Sequence, residues 1–219
     1  MNKNLSGKQL YGLIVIFLTV LLLAIWSWDA VKYQIFPKRF GVVADNLIYR
    51  SGQLHPALVR DTLRKYDVQI IIDLTAPNPD NPSQVAELAT ASELGILHQR
   101  FPLRGDGTGN VNNYVAAVIK LHEAKNAAQT LLVHCAAGSQ RTGGTVAFYR
   151  LLVEKKSPAF VYDELAEYDW HDTADAPLLP YINNNLGYMA RQLQSRGVIR
   201  KIPDPLPYLE SRFTARGPE

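Results

Sequence analysis

The sequence of 219 residues contains a single cysteine, Cys135. One thiol cannot form an internal disulfide, and it cannot build a metal site from several thiolates. The sequence also lacks internal repeats and low-complexity runs, and its 47% hydrophobic and 20% charged residues are typical of a globular protein. Cys135 is therefore either a buried apolar residue or a reactive thiol, and its neighbours in the sequence must decide between the two.

The sequence has little excess charge of either sign. Its 23 Lys and Arg residues against 20 Asp and Glu residues give a net charge of +3. Residues 1–39 hold five basic residues and one acidic residue, so the chain from residue 40 onward carries a net charge of −1. Because nucleic-acid binding needs a basic surface, we expect no nucleic-acid partner.

One long hydrophobic run is present, from Leu10 to Trp28, and it contains no charged residue. As a helix it would match the thickness of a bilayer core, and it is longer than the core of a usual signal peptide. No small-x-small cleavage motif follows it. The run therefore predicts an uncleaved, single-pass transmembrane anchor that makes the membrane a partner of the chain. The basic residues on its two sides nearly balance, which leaves the orientation open with export of the folded domain preferred.

The remaining sequence alternates between strand-like and helix-like segments. Strands are predicted at 47–50, 68–74, 96–101 and 131–135, and helices at 56–66, 82–94, 111–127, 142–154, 158–168 and 179–193. This alternation predicts an α/β fold with a central, mainly parallel sheet flanked by helices and preceded by the transmembrane helix. The predicted boundaries are an N-terminal tail at 1–9, the anchor at 10–28, a connector at 29–39, the folded domain at 40–195 and a proline-containing tail at 196–219.

Residues 131–144, LLVHCAAGSQRTGG, run from a buried strand through a loop of small residues into a helix. Backbone N–H groups of such a loop and the dipole of the following helix form an anion site of phosphate size. The same field, with Arg141 nearby, lowers the pKa of a thiol at the position of Cys135 and favours the nucleophilic thiolate. Arg141 can bind two phosphate oxygens in bidentate fashion.

The pattern His134-Cys135-x5-Arg141-Thr142 resembles the signature of the cysteine-dependent protein tyrosine and dual-specificity phosphatases. A weaker resemblance to the small bacterial-type members includes residues 46–53 and 71–74. The resemblance implies a dual-specificity phosphatase fold and a reaction through a phosphocysteine on Cys135, without a metal or another cofactor. It implies that Arg141 binds phosphate, Thr142 hydrogen-bonds the sulfur, and His134 orients the loop. The backbone N–H groups that complete the phosphate cradle would come from Ala136, Ala137, Gly138, Ser139 and Gln140.

Such a reaction needs a general acid for the leaving oxygen, and Asp106 is the best candidate. It lies 29 residues before Cys135 in Arg-Gly-Asp-Gly-Thr-Gly, whose glycines permit loop motion. Asp73 and Asp80 are the alternatives. As a simple turn residue, Asp106 would have no catalytic role.

The substrate stays open between a phosphorylated protein, on Tyr or on Ser/Thr, and a membrane-proximal phospholipid or phosphoinositide. Because the loop carries no basic residue besides Arg141, the sequence weighs against highly charged substrates. A pseudo-phosphatase that binds phosphate without turnover and a rhodanese-type sulfur transferase are the rivals from other classes.

Overall fold

The structure is a computed structural model, and it describes residues 7–44 and 46–212. The described residues form five strands and seven α-helices. The strands are β1 (Gly41–Ala44), β2 (Ile48–Gly52), β3 (Ile70–Asp73), β4 (Leu97–Arg100) and β5 (Leu131–Cys135). The helices are α1 (Gly7–Ile35), α2 (Pro56–Lys65), α3 (Pro82–Leu94), α4 (Val111–Asn126), α5 (Gln140–Phe148), α6 (Pro158–Glu167) and α7 (Leu178–Ser195), and a π-helical turn, Tyr149–Val153, continues α5.

The sheet has the order β1-β2-β5-β3-β4, with β1 antiparallel to β2 and the other neighbours parallel. This confirms the predicted α/β fold with a central, mainly parallel sheet. Each of the four predicted strands is present, whereas β1 was not predicted. Because β5 is the central strand, its carboxyl end opens at the middle of the edge where ligands bind in such sheets.

Side chains alternate between the two faces of β5, and each face packs into its own core. Leu131, Val133 and Cys135 face the larger core, which includes buried residues of α4, α5 and α7. Leu132 faces the smaller core, which includes buried residues of α2 and α3. The alternation therefore sends the side chain of Cys135 and that of the adjacent His134 to opposite sides of the sheet.

The hydrophobic run at residues 10–28 lies within α1, which continues beyond it through Asp29 and Lys32 to Ile35. Over residues 7–44 and 46–212, no helix combines the length and the apolar character that crossing a bilayer requires. The predictions of a transmembrane anchor and of a single-pass membrane location are therefore wrong. Part of the predicted connector at 29–39 is helical, since α1 ends only at Ile35.

The chain after α7 packs back onto that helix. The Asn183 side chain donates to the Leu209 carbonyl and accepts from the Leu209 N–H, both at 2.9 Å, and the Leu209 side chain is buried. The predicted N-terminal tail at 1–9 and C-terminal tail at 196–219 lie partly outside the described residues.

Candidate active site

Cys135 ends β5, and residues 136–139 connect it to α5, which begins at Gln140. Gly138 lies at the sharpest point of this loop, with a φ of +86°, and a Cβ there would come within 2.5 Å of the Gly52 nitrogen in β2. Only glycine combines this left-handed conformation with such a close approach. The loop is therefore held against the carboxyl end of β2, and it curves around the Cys135 sulfur.

The Cys135 sulfur is buried and hydrogen-bonded. It accepts a hydrogen bond from the Gly138 N–H at 3.1 Å, and Thr142, whose hydroxyl donates to the Ser51 carbonyl at 3.5 Å, lies close enough to interact with it. Burial alone would raise the pKa of Cys135, but the positive charge of Arg141 and the interactions with Thr142 and Gly138 lower it below its usual value. The surroundings of the sulfur therefore favour the thiolate, and they bring together Cys135, Thr142 and Arg141.

His134 points away from the sulfur, and its partner is Glu87 of α3. Its Nε2 atom lies 3.0 Å from Glu87 Oε1, and both side chains are almost fully buried. Burial alone would lower the pKa of His134, but the charge of Glu87 and its hydrogen bond raise that pKa. Burial likewise would raise the pKa of Glu87, but the attraction to His134 lowers it. The two residues form a buried ion pair directly behind the cradle.

Glu87 was missed by the sequence analysis, and it has two further partners. Its Oε2 accepts from Gln53 Nε2 at 3.2 Å, and its Oε1 also lies 3.2 Å from His98 Nε2. The only sequence signal is weak: Glu87 shares the buried face of α3 with Gln84, Thr90 and Ala91. A polar face of that kind indicates a buried network but does not identify the partner.

Arg50 of β2 is a second cation that the sequence analysis missed. Its Nη2 donates to the Gly138 carbonyl at 2.9 Å, and its guanidinium carbon lies 3.7 Å from the centroid of the Tyr168 ring. Burial lowers the pKa of Arg50 to about 10, against an opposing attraction to negative groups that include Glu164 and Cys135. Arg50 therefore stays charged at neutral pH, fixes the loop through Gly138 and adds to the positive potential at the sulfur.

Lys38 and Arg39, which follow α1, border the beginning of the same loop. Arg39 donates from Nη1 to the Ala137 carbonyl and from Nε to Asp169, each at 2.7 Å. The Lys38 carbonyl accepts from the Gly52 N–H at 2.7 Å, and the Lys38 side chain covers Gly52. Burial and the charge of Arg39 lower the pKa of Lys38, partly against the attraction of Cys135 and Asp169.

Asp106 lies in the loop between β4 and α4, and this loop borders the other end of the cradle. A Cβ on Gly107 would lie 3.2 Å from Gln140 Cβ, and the Gly107 carbonyl accepts a 2.5 Å hydrogen bond from the Tyr114 hydroxyl. The Asp106 carboxylate itself accepts from the N–H and the hydroxyl of Thr108, at 2.9 and 2.7 Å. These hydrogen bonds lower the pKa of Asp106. In this conformation the carboxylate is bound within its own turn.

The other carboxylates that could act as the general acid differ in whether an oxygen is free to reach a substrate. Asp73 is fully buried, with Oδ2 paired to Arg100 at 2.7 Å and Oδ1 accepting from Thr75, so no oxygen is left for a substrate. Asp80 is exposed in a turn. A further carboxylate, that of Asp175, accepts a hydrogen bond from Gln140 Nε2 at the end of the cradle. Asp175 was not predicted, because nothing in its local sequence links it to the loop.

Asp73, Glu87 and His98 bring three potential metal ligands within 4.8 Å of one another. Cations of the chain already occupy this cluster, since Arg100 pairs with Asp73 and the charged His134 pairs with Glu87. A divalent ion would have to displace those pairs. The geometry therefore favours an ion-pair network behind the cradle over a metal centre.

Comparisons with known proteins agree with this geometry. A family model described as PTP-NADK, a DSP-PTPase phosphatase fused to NAD+ kinase, matches residues 23–173. A search of curated proteins finds no match.

Solved structures show the same fold at low sequence identity. The core catalytic domain of the PP-IP phosphatase Siw14 from S. cerevisiae is 19% identical, with a TM-score of 0.58 over 78% of this chain and 98% of that chain. TpbA from P. aeruginosa is 18% identical, with a TM-score of 0.53 over 67% of this chain and 86% of that chain. PTPMT1 in complex with PI(5)P is 16% identical, with a TM-score of 0.52 over 73% of this chain and 99% of that chain.

The family match covers more than half of the chain and includes the strand, the loop and the helix that form the cradle. The chain therefore belongs to this DSP-PTPase family, and it is a cysteine-dependent hydrolase of phosphate monoesters.

Proposed function

We propose that the chain dephosphorylates phosphotyrosine or phosphoserine/threonine in proteins, through a phosphocysteine on Cys135. The observation that carries this proposal is the hydrogen-bonded, buried sulfur, whose pKa is lowered by Arg141, Thr142 and Gly138. A thiolate favoured in this way is a nucleophile, and the surrounding N–H groups can hold the oxygens of the phosphoryl group under attack.

In the first step, the Cys135 thiolate attacks phosphorus as the bond to the leaving oxygen breaks. The backbone N–H groups of residues 136–140 and the guanidinium of Arg141 bind the three remaining oxygens. Asp106, protonated, gives its proton to the leaving oxygen, so that the product departs as a neutral alcohol or phenol. Both hydrogen bonds from Thr108 reach Oδ1 of Asp106, which leaves Oδ2 to carry this proton, and release from Thr108 raises the pKa of Asp106 toward the ordinary value of a carboxyl group.

In the second step, a water molecule attacks the phosphocysteine while the Asp106 carboxylate accepts its proton. The phosphorus–sulfur bond breaks, and inorganic phosphate and the thiolate are released. The Thr142 hydroxyl, which in this structure donates to the Ser51 carbonyl, turns to the sulfur and stabilises the thiolate as it leaves. Arg50 and the ion pair of His134 with Glu87 hold the loop in shape throughout both steps.

A protein substrate agrees best with the charges within the loop. The side chains at 136, 137, 139 and 140 are Ala, Ala, Ser and Gln, which provide no cation for several phosphates. The lipid alternative depended on the predicted anchor, and the described residues provide no membrane-spanning helix to support it.

The decisive experiment measures release of phosphate from p-nitrophenyl phosphate and from phosphotyrosine and phosphoserine peptides, with EDTA present and with or without vanadate. We expect turnover that EDTA leaves unchanged and vanadate blocks. Cys135→Ser should abolish turnover yet still bind phosphopeptide, because the cradle survives while an alcohol is a poor nucleophile there. Substantial turnover by this variant would exclude the covalent mechanism, and turnover of thiosulfate in place of phosphate esters would identify a sulfur transferase.

A further inference from the structure

Lys38 stands out because it brings a positive charge to the cradle from outside the loop. A Cβ on Gly52 would lie 3.0 Å from Lys38 Cδ and 2.7 Å from the Ala137 carbonyl, so the lysine side chain lies directly beside the first residues of the loop. Gly52 is also the residue that pairs with Cys135 in the register of β2 and β5. The lysine is therefore a neighbour of the sulfur, and the charges of the two groups attract each other.

The backbone that carries Lys38 is held in place on both sides. Its own carbonyl binds the Gly52 N–H, and the next residue, Arg39, bridges the Ala137 carbonyl and Asp169. Arg39 is thus committed to partners within the protein. Among the described residues, no carboxylate forms an ion pair with Lys38, and its Nζ atom lies 5.2 Å from the centroid of the Tyr33 ring. Lys38 is half-buried, so part of its side chain is exposed beside the loop.

The opposite end of the cradle is negatively charged. Asp175 contacts Gln140, and Asp106 lies in the loop that packs on Gln140. A substrate ring with phosphates on several sides would place some of them against these carboxylates. A peptide with one acidic side chain on the Lys38 side avoids that repulsion.

We propose that Lys38 forms a subsite for an acidic side chain that flanks the phosphorylated residue of a peptide substrate. This subsite rests on the proposed function, since it selects among phosphopeptides for the same cradle. A single ion pair at a partly exposed site is worth up to about 1 kcal/mol, which corresponds to a preference of about fivefold.

The test uses the full chain and two phosphotyrosine peptides that differ only in a Glu or a Gln next to the phosphotyrosine. We expect kcat/KM to be about fivefold higher for the Glu peptide. Lys38→Met should bring the ratio close to one, and Lys38→Arg should restore it. Lys65→Met is the matched control, because Lys65 also lies beside an aromatic ring but at the far end of α2. That control should keep the ratio.

Three results would overturn the subsite. The first is equal kcat/KM for the Glu and Gln peptides in the wild type. The second is a preference for the Glu peptide that persists in Lys38→Met, and the third is a loss of this preference in Lys65→Met that equals the loss in Lys38→Met. Vanadate-sensitive hydrolysis of p-nitrophenyl phosphate by the wild type is measured in parallel, so a failure of the proposed function is distinguished from a failure of the subsite alone. If a doubly phosphorylated inositol lipid in vesicles is hydrolysed faster than both peptides, and Lys38→Met removes that advantage, the peptide assignment is wrong and the occupant is a lipid headgroup.

Discussion

Replacing Glu87 by Gln tests whether the ion pair behind the cradle stabilises the fold. The substitution keeps the size of the side chain and removes the charge that faces His134 at 3.0 Å. Removing one partner of a buried ion pair costs about 3–5 kcal/mol, because the other charge is left without compensation. We therefore expect Glu87→Gln to lower the free energy of unfolding by about that amount.

The pH dependence of this loss follows from the two pKa shifts. Glu87 raises the pKa of His134 in the folded state, although burial opposes this shift. The resulting stabilisation of the folded state is present below the ordinary histidine pKa of about 6.5 and is lost as pH rises above it. His134 lowers the pKa of Glu87, although burial opposes this shift too. The resulting stabilisation is present above the ordinary glutamate pKa of about 4.3 and is lost as pH falls below it. The pair should therefore stabilise the protein most between about pH 4.3 and 6.5.

Urea unfolding at pH 5.5, 7.0 and 8.5 measures the effect. Glu93→Gln is the control, since Glu93 lies on the same helix but forms an exposed pair with Arg60. Such a surface pair contributes at most about 1 kcal/mol. A loss below about 1 kcal/mol for Glu87→Gln at pH 5.5, or a loss that grows toward pH 8.5, would refute the ion-pair account.

Three further predictions concern the cradle itself. Asp106→Asn should lower kcat by about 10²-fold on a phosphoserine peptide but much less on p-nitrophenyl phosphate, whereas Asp80→Asn should change neither rate; equal losses on both substrates would move the acid role elsewhere. Gly138→Ala should destabilise the protein by about 1–3 kcal/mol in urea unfolding, because it forces a side chain into a left-handed φ next to Gly52; an unchanged midpoint would contradict this. Alkylation of Cys135, the only thiol in the sequence, by iodoacetamide should reach half its maximal rate below pH 8.5, since its pKa is lowered; a midpoint at or above that pH would contradict the thiolate.

The sequence was sufficient for the cradle because its parts are contiguous. Strand, loop and helix follow one another from Leu131 to Phe148, and the propensities of these residues decide the local conformation. Period-two alternation in β5 also implies that Cys135 and His134 face opposite sides of the sheet. That rule places His134 behind the cradle, but it says nothing about which residue of another element meets it there.

The residues that the sequence analysis missed are all brought in by tertiary contacts. Glu87 lies 47 positions before His134, Arg50 lies 88 before Gly138, and Asp175 lies 35 after Gln140. No local pattern joins such pairs, since the packing of helices and the order of strands decide which of them meet. The hydrophobic run at 10–28 was also misinterpreted, since none of the described helices is long and apolar enough to cross a membrane.

Tertiary contacts also change what the uncharged side chains of the loop imply about the substrate. Counting charges between Cys135 and Arg141 finds one cation, which weighs against charged substrates. In the folded protein, the positive charges of Arg50, His134 and Lys38 also interact favourably with the thiolate, from two strands and from the segment after α1. Of these, Arg50 and His134 are fully buried and act on the thiolate, whereas Lys38 is half-buried, with part of its side chain exposed beside the loop. The loop sequence thus describes how the reacting phosphate is bound, and residues outside the loop also contribute to the selection among substrates.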